Sequence, residues 1–263
     1  MLKKIIIGII LLILLYVYYN FILKRENIYQ PILKRNVVSE EDRNKFSYES
    51  LKKNFSDYRL NVYFFKSSNR NYDFTKEMSI DEFFRINQGE YRIMLKNIYN
   101  LDENRMYWIN RALEKYIGPK IEQVLVYNLR IVYPNWTWHC HYDMNDNYYI
   151  NIIGRRKVYL TPFMIGSQFE KYYVDNMKAV LANSKYRENT IEYILEPGDM
   201  LYIPKGYYHY FESVGNEISV VVNYLGNFSA ENPIMQRIWN ERHADHVKVI
   251  ANMDEYKNIV KKE

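Results

Sequence analysis

The stretch "WHCHYDMNDN", residues 138–147, opens with two of the chain's five histidines, its single cysteine and a carboxylate inside five positions. Imidazole, thiolate and carboxylate are the side chains that bind transition metals, so the segment is a candidate metal site. Successive side chains of a strand point to opposite faces. Taken as extended, residues 138–143 set His139, His141 and Asp143 on one face and Trp138, Cys140 and Tyr142 on the other. His141 and Asp143 can then aim at one point, which Cys140 cannot easily reach. A His-x-Asp pair is common by chance, and its ordinary reading is a histidine hydrogen-bonded to a nearby acid. A second element, "EPGDMLYIPKGYYHYFES", changes the balance. Gly198 and Asp199 make a turn, "MLYIP" a strand and "KGYY" another turn, so a hairpin would return His209 to the rim that holds His141 and Asp143. Two imidazoles and one carboxylate are the ligand set of non-haem Fe(II) oxygenases, which keep adjacent coordination positions open. A zinc hydrolase could use similar ligands.

These residues need a scaffold, and the texture of the chain provides one. "FSYESLKKNF" reads as a short helix with Leu51 and Phe55 at helical spacing, followed by the strand "RLNVYFF". Ser79 and Glu82 in "MSIDEFFRI" have the spacing of a capping box. "ENRMYWINRALEKYI" reads as a third helix, stopped by Gly118-Pro119. From there to Gly226 the chain reads as short strands with Gly and Pro turns: a sandwich or small barrel, mainly β with flanking helices. The tail, residues 231–263, reads as a charged helical extension. Its apolar positions Ile234, Ile238, Val249 and Ile250 permit a homodimer contact, and His243 and His246 there read as part of a solvated face. Cys140 reads as a small packed residue and Asp199 as a turn former.

The first 25 residues pose a separate question. The run from Ile5 to Leu23 is apolar or aromatic throughout except for Gly8 and Asn20. As a helix it would cover about 28 Å, close to the hydrocarbon thickness of a bilayer. No small-x-small cleavage site follows it, so it reads as an uncleaved N-terminal transmembrane helix rather than a secretory signal. Basic residues flank both ends, and the side of the membrane that holds the remaining chain stays open. Residues 26–45 read as a polar stalk, and residues 46–230 as the folded domain. A net charge of +5, with basic residues scattered among acidic ones, gives no nucleic-acid footprint. One cysteine excludes an intrachain disulfide.

"HYDMNDNYYINIIGRRKVYLTPF" and "EPGDMLYIPKGYYHYFESVGNEISVVVNY" together resemble the JmjC, or cupin-like, family of 2-oxoglutarate dioxygenases. The nearer likeness is to its small hydroxylase branch, typified by the asparaginyl hydroxylase of the hypoxia response. The resemblance runs from about residue 125 to 225 and implies a double-stranded β-helix, a jelly-roll barrel with helices outside. It implies that His141, Asp143 and His209 bind Fe(II), leaving His139 outside the triad, and that Asn147 and Asn223 line the pocket. The cosubstrate's far carboxylate is held in the family by a lysine two residues after a glycine. Here that position is Arg156, with Lys157 beside it; guanidinium can grip a carboxylate through two parallel hydrogen bonds. The family's threonine three residues before the first ligand is replaced by Trp138; Thr137 lies one place earlier, where a register shift would restore the threonine's contact with the cosubstrate pocket. The implied reaction uses Fe(II), 2-oxoglutarate and O2, releases succinate and hydroxylates a protein or peptide side chain; some members remove methyl groups the same way. A silent binding or scaffold module, and a metalloenzyme that does not use 2-oxoglutarate, are the alternatives.

Overall fold

The computed structural model describes residues 8, 10–16, 30–66, 73–87, 89, 91–95, 103–118, 124–143, 145–166 and 177–226. The chain divides into two units, Met1–Phe228 and Ser229–Glu263, and the expected C-terminal extension lies outside the described residues.

The first unit is mainly β, with every strand pair antiparallel. Its strands are β1 (Ile32–Lys34), β2 (Arg59–Phe65), β3 (Phe74–Ser79), β4 (Arg92–Leu95), β5 (Val124–Val132), β6 (Thr137–Tyr142), β7 (Asp146–Ile153), β8 (Arg155–Thr161), β9 (Ile191–Leu195), β10 (Met200–Ile203), β11 (Tyr208–Val214) and β12 (Ser219–Gly226). One sheet runs β1-β10-β7-β12-β5-β4-β2-β3 and the other β6-β11-β8-β9. From β5 to β12 the chain alternates between the sheets except at β8 and β9, which are neighbours in the smaller one. β7, β10 and β12 are almost continuously buried, and β11 is buried from Tyr208 to Phe211, because each covers the interior with one face and meets an outer layer with the other.

Three apolar clusters fill those layers. Tyr149, Leu201 and Val221 of the large sheet meet Val158, Leu160 and Phe211 of the small one in the interior. The opposite face of the large sheet, through Leu129, Ile131, Ile150 and Val222, packs against Val38 and Phe46, which flank the short helix α1 (Glu40–Asn44), and against the helices α2 (Tyr48–Asn54), α3 (Ile80–Phe84) and α4 (Glu103–Ile117). The outer face of the small sheet, through Cys140, Tyr159, Tyr208 and Tyr210, packs with Met177. The helix starts are chemically specified. Ser79 accepts from the Glu82 amide at 3.1 Å while the Glu82 carboxylate accepts from the Ser79 amide at 2.7 Å, the reciprocal pair expected from the sequence.

Two expectations need correction. Residues 26–45 are not a stalk: from residue 30 they belong to the fold, and residues 26–29 lie outside the described residues. β1 pairs with β10, the Val37 and Val38 amides both donate to the Gly198 carbonyl, and Val38 is fully buried. The polar run that suggested a linker is instead the capped helix α1, whose Asp42 turns inward. Nor do β10 and β11 form a hairpin, since "PKGY" carries the chain from one sheet to the other. Of the expected membrane span only residues 8 and 10–16 are described, and Ile10 to Tyr16 are 51–69% exposed. Among the described residues no helix is long and apolar enough to cross a membrane.

Asp42 ties α1 to α4. Its carboxylate accepts from Lys45 and Lys115, each at 2.6 Å, and from the Tyr116 hydroxyl. Burial acts to raise its pKa, yet hydrogen bonds from Lys115, Lys45, Tyr116 and Ser39 outweigh it and hold the group well below the usual carboxylate range. The lysines are half exposed, which screens the pairing. Asp42→Asn should cost roughly 1–3 kcal/mol at neutral pH in chemical unfolding. Because the folded pKa is depressed, that deficit should be constant at neutral pH and shrink as pH falls below the unfolded value, near 3.8.

Candidate metal centre

β6 and β11 are adjacent antiparallel strands, and their register puts His141 directly opposite His209. Residues opposite one another in an antiparallel pair project to the same face, so both imidazoles enter the interior. Their ring centroids are 4.3 Å apart. Asp143, just beyond the end of β6, completes the group: Oδ1 lies 3.8 Å from His141 Nε2, and Oδ2 lies 3.6 Å from His209 Nε2. One donor atom from each residue lies within 4.8 Å of the others. Metal bonds of about 2.0–2.2 Å place neighbouring ligands roughly 3 Å apart, so the group can close on an ion with small side-chain adjustments.

The parity of β6 is not the simple alternation that the sequence suggests. Trp138 pairs with Phe211 and His141 with His209, so three steps on β6 match two on β11, a β-bulge. The extra residue moves Trp138 onto the face of His141, and their rings meet at 6.2 Å in an edge arrangement. Trp138 therefore does not share the face of Cys140, which packs on the outer side of the sheet. Thr137 pairs with Glu212, next to inward-facing Phe211, and so lies on the outer face. The proposed pocket contact of Thr137 is thereby corrected. The side chain of His139 lies outside the described residues.

Neighbouring backbone and amide groups hold His209 and Asp143. His209 Nδ1 lies 3.0 Å from the Tyr207 carbonyl, an arrangement that places the ring proton on Nδ1 and leaves the Nε2 lone pair for a metal. The turn before His209 is pinned because the Lys205 amide donates to buried Asp146 at 2.9 Å and the Gly206 amide donates to the Asp143 carbonyl. Asn147 donates to Asp143 Oδ2 at 3.3 Å and accepts from Asn223 at 2.9 Å. Both asparagines are buried and face the interior with Tyr149.

Further along the interior, parity separates the two candidate cations. Arg156 lies opposite Ser213 and Leu195, faces inward and is 4% exposed; its Nη1 donates to Ser213 Oγ at 2.7 Å. Lys157 faces outward, pairs with Glu192 at 2.7 Å and sits over the Tyr159 ring. Its pKa is raised, first by the hydrogen bond to Glu192 and then by that to Tyr159. Lys157 is therefore not a pocket residue. Gly154 makes this register attainable: it has φ +75°, and a Cβ there would lie 2.6 Å from Ser219 Oγ.

Polar interior residues among the described ones that the sequence reading did not single out include Asn128, Arg130, Tyr149, Asn151 and Ser213. Strand parity could have found the first two, since "NLRIV" alternates Asn128 and Arg130 with Leu129 and Ile131 of the helix-facing core. Tyr149 is indistinguishable by sequence from the neighbouring Tyr148, which faces the outer layer.

The donor set fits iron: two neutral nitrogens and one carboxylate oxygen converge from a single side of the pocket. His141→Ala or His209→Ala should abolish stoichiometric Fe(II) binding in anaerobic equilibrium dialysis. Asn147→Ala, which frees Asp143 to rotate, should weaken it about 10–100-fold, whereas Cys140→Ser should leave it unchanged.

A family model described as a cupin-like domain matches residues 27–231. A comparison with curated proteins finds no match. With the match spanning most of the sequence and the whole described β core, the chain belongs to the cupin-like domain family.

Proposed function

We propose that the protein is an Fe(II)- and 2-oxoglutarate-dependent dioxygenase of the small hydroxylase branch, built on a double-stranded β-helix and acting on a protein side chain. The observation that carries this reading is the pairing, inside one barrel, of the His141, Asp143 and His209 group with the buried guanidinium of Arg156. A metal-chelating 2-oxoacid with a distal carboxylate needs both features. When bound, the iron with 2-oxoglutarate and O2 supplies oxidative decarboxylation to succinate coupled to hydroxylation of a C–H bond.

The residues of the chain carry the remaining tasks. His141, Asp143 and His209, brought together at one end of the interior, would hold the metal. Asn147 fixes the Asp143 carboxylate, and the Tyr207 carbonyl fixes the His209 ring. Arg156 orients the cosubstrate by its far end. Tyr149 and Phe211, stacked at 4.4 Å between the metal end and the guanidinium end, exclude water from the reacting groups.

The aromatic and aliphatic run over residues 5–23 supports a single-pass membrane anchor for this domain. If so, the chain should stay in the pellet when membranes are washed with alkaline carbonate; its release would remove the anchor from this reading.

Succinate formation by the full chain with Fe(II) and 2-oxoglutarate tests the activity, and His141→Ala should abolish it. Because some oxygenases turn over only with their substrate, 2-oxoglutarate binding should be measured in parallel. Iron binding without any 2-oxoglutarate binding would favour a metalloenzyme of another kind; absence of iron binding would favour a binding module. Arg156→Leu should weaken 2-oxoglutarate binding about tenfold or more, and Lys157→Ala should leave it unchanged.

A further inference from the structure

The interior holds a second guanidinium. Arg130 on β5 pairs in register with Val221, an interior residue of β12, and so projects to the same side as Asn128, two residues away and opposite Asn223. Arg156 reaches that interior from the other sheet, on β8. Tyr149 on β7 lies opposite Asn223 and between these two approaches. Burial raises the pKa of the Tyr149 hydroxyl, and the charges of Arg156 and Arg130 pull it back. Burial likewise lowers the pKa of Arg156; Tyr149 opposes that effect, and the like charge of Arg130 adds to it. Guanidinium nevertheless keeps its proton under ordinary conditions, so buried Arg156 and part-buried Arg130 remain two cations that repel each other.

Little in the chain answers those charges. Among the described residues no carboxylate forms an ion pair with either arginine; Glu212 acts on Arg156 only at a distance and belongs to the outer face of β11. The Nε atoms of both arginines are buried without a hydrogen-bond partner. Asn128 is 1% exposed, and neither its Nδ2 nor its Oδ1 is bonded. Buried polar atoms in folded proteins are almost always paired, so several converging unpaired donors mark the place where a ligand anion belongs.

We propose that Arg130 and Arg156 form a two-sided guanidinium clamp for the distal carboxylate of the cosubstrate, with Asn128 as an additional donor. This rests on the dioxygenase reading. It adds to it a residue outside the matching motifs, and it makes the cosubstrate's far charge the main determinant of selection. It also accounts for the arginine at position 156, since a carboxylate has two oxygens and each guanidinium can take one face of it.

The test is calorimetric titration of the full chain, loaded with Mn(II) so that no turnover occurs. The ligands are 2-oxoglutarate and 2-oxopentanoate, which has a methyl group in place of the distal carboxylate. Arg130→Leu should weaken 2-oxoglutarate binding roughly tenfold to a hundredfold, leave 2-oxopentanoate binding unchanged, and be largely rescued in Arg130→Lys. Arg130→Leu binding 2-oxoglutarate within twofold of the wild type would overturn the clamp alone. Equal loss of both ligands would also overturn it, because it would show that Arg130 supports packing. Absence of 2-oxoglutarate binding by the Mn(II)-loaded wild type would overturn the dioxygenase reading itself.

Discussion

The pairing of His141 with His209 across two neighbouring strands is the constraint on which the metal group depends, because it converts two residues far apart in sequence into one rigid pair of donors. Backbone hydrogen bonds set that register, and the buried faces on both sides of the strand resist slippage. A one-residue shift would turn His209 to the outer tyrosine cluster and bring Tyr208 or Tyr210 inward. The bulge on β6 reconciles two needs in the same strand: Trp138 continues the aromatic packing of Phe65 and Trp136, while His141 still reaches the site.

The alternation of strands between the sheets then decides what the pocket contains. β7 and β12 bring Asn147, Tyr149 and Asn223 from the large sheet, while β8 and β11 bring Arg156, His209, Phe211 and Ser213 from the small one. An unusually polar interior results. Its metal end is internally bonded through the Asn223, Asn147 and Asp143 series. Further in, Arg156 and Arg130 leave their Nε donors unpaired, and between the two ends Asn128, with the Asn223 Oδ1 opposite it, is unpaired as well. Burying charge without a partner costs free energy, and folds retain such groups where they serve a ligand. Stability comes instead from the apolar layers on either side and from local ties such as Asp42 with its two lysines.

Much of the architecture was legible because its signals are local. The capping box at Ser79 and Glu82, the helix of residues 103–117 and the order of strands from β5 to β12 rest on spacing within a few residues. Asn147 and Asn223 were legible through their place in long motifs. Residues 30–45 were misread because their charges looked like a linker, and only long-range pairing with β10 and contact with α4 show that they close the fold.

The sequence by itself determined which groups are available: two histidines and a carboxylate with the right order, a cationic residue two places after Gly154, and alternating polar positions on β5. Tertiary structure decided which of them meet. Arg156 and Lys157 are adjacent cations, yet strand parity buries the first and pairs the second with Glu192 outside. Thr137 and Trp138 exchange their expected faces through a bulge that no local pattern announces. Arg130 comes to share an interior with Arg156 only because β5 and β8 belong to opposite sheets. The physical reason is common to these cases: a side chain's direction is fixed by its own strand, but its neighbours are fixed by registers set across strands far apart in the chain.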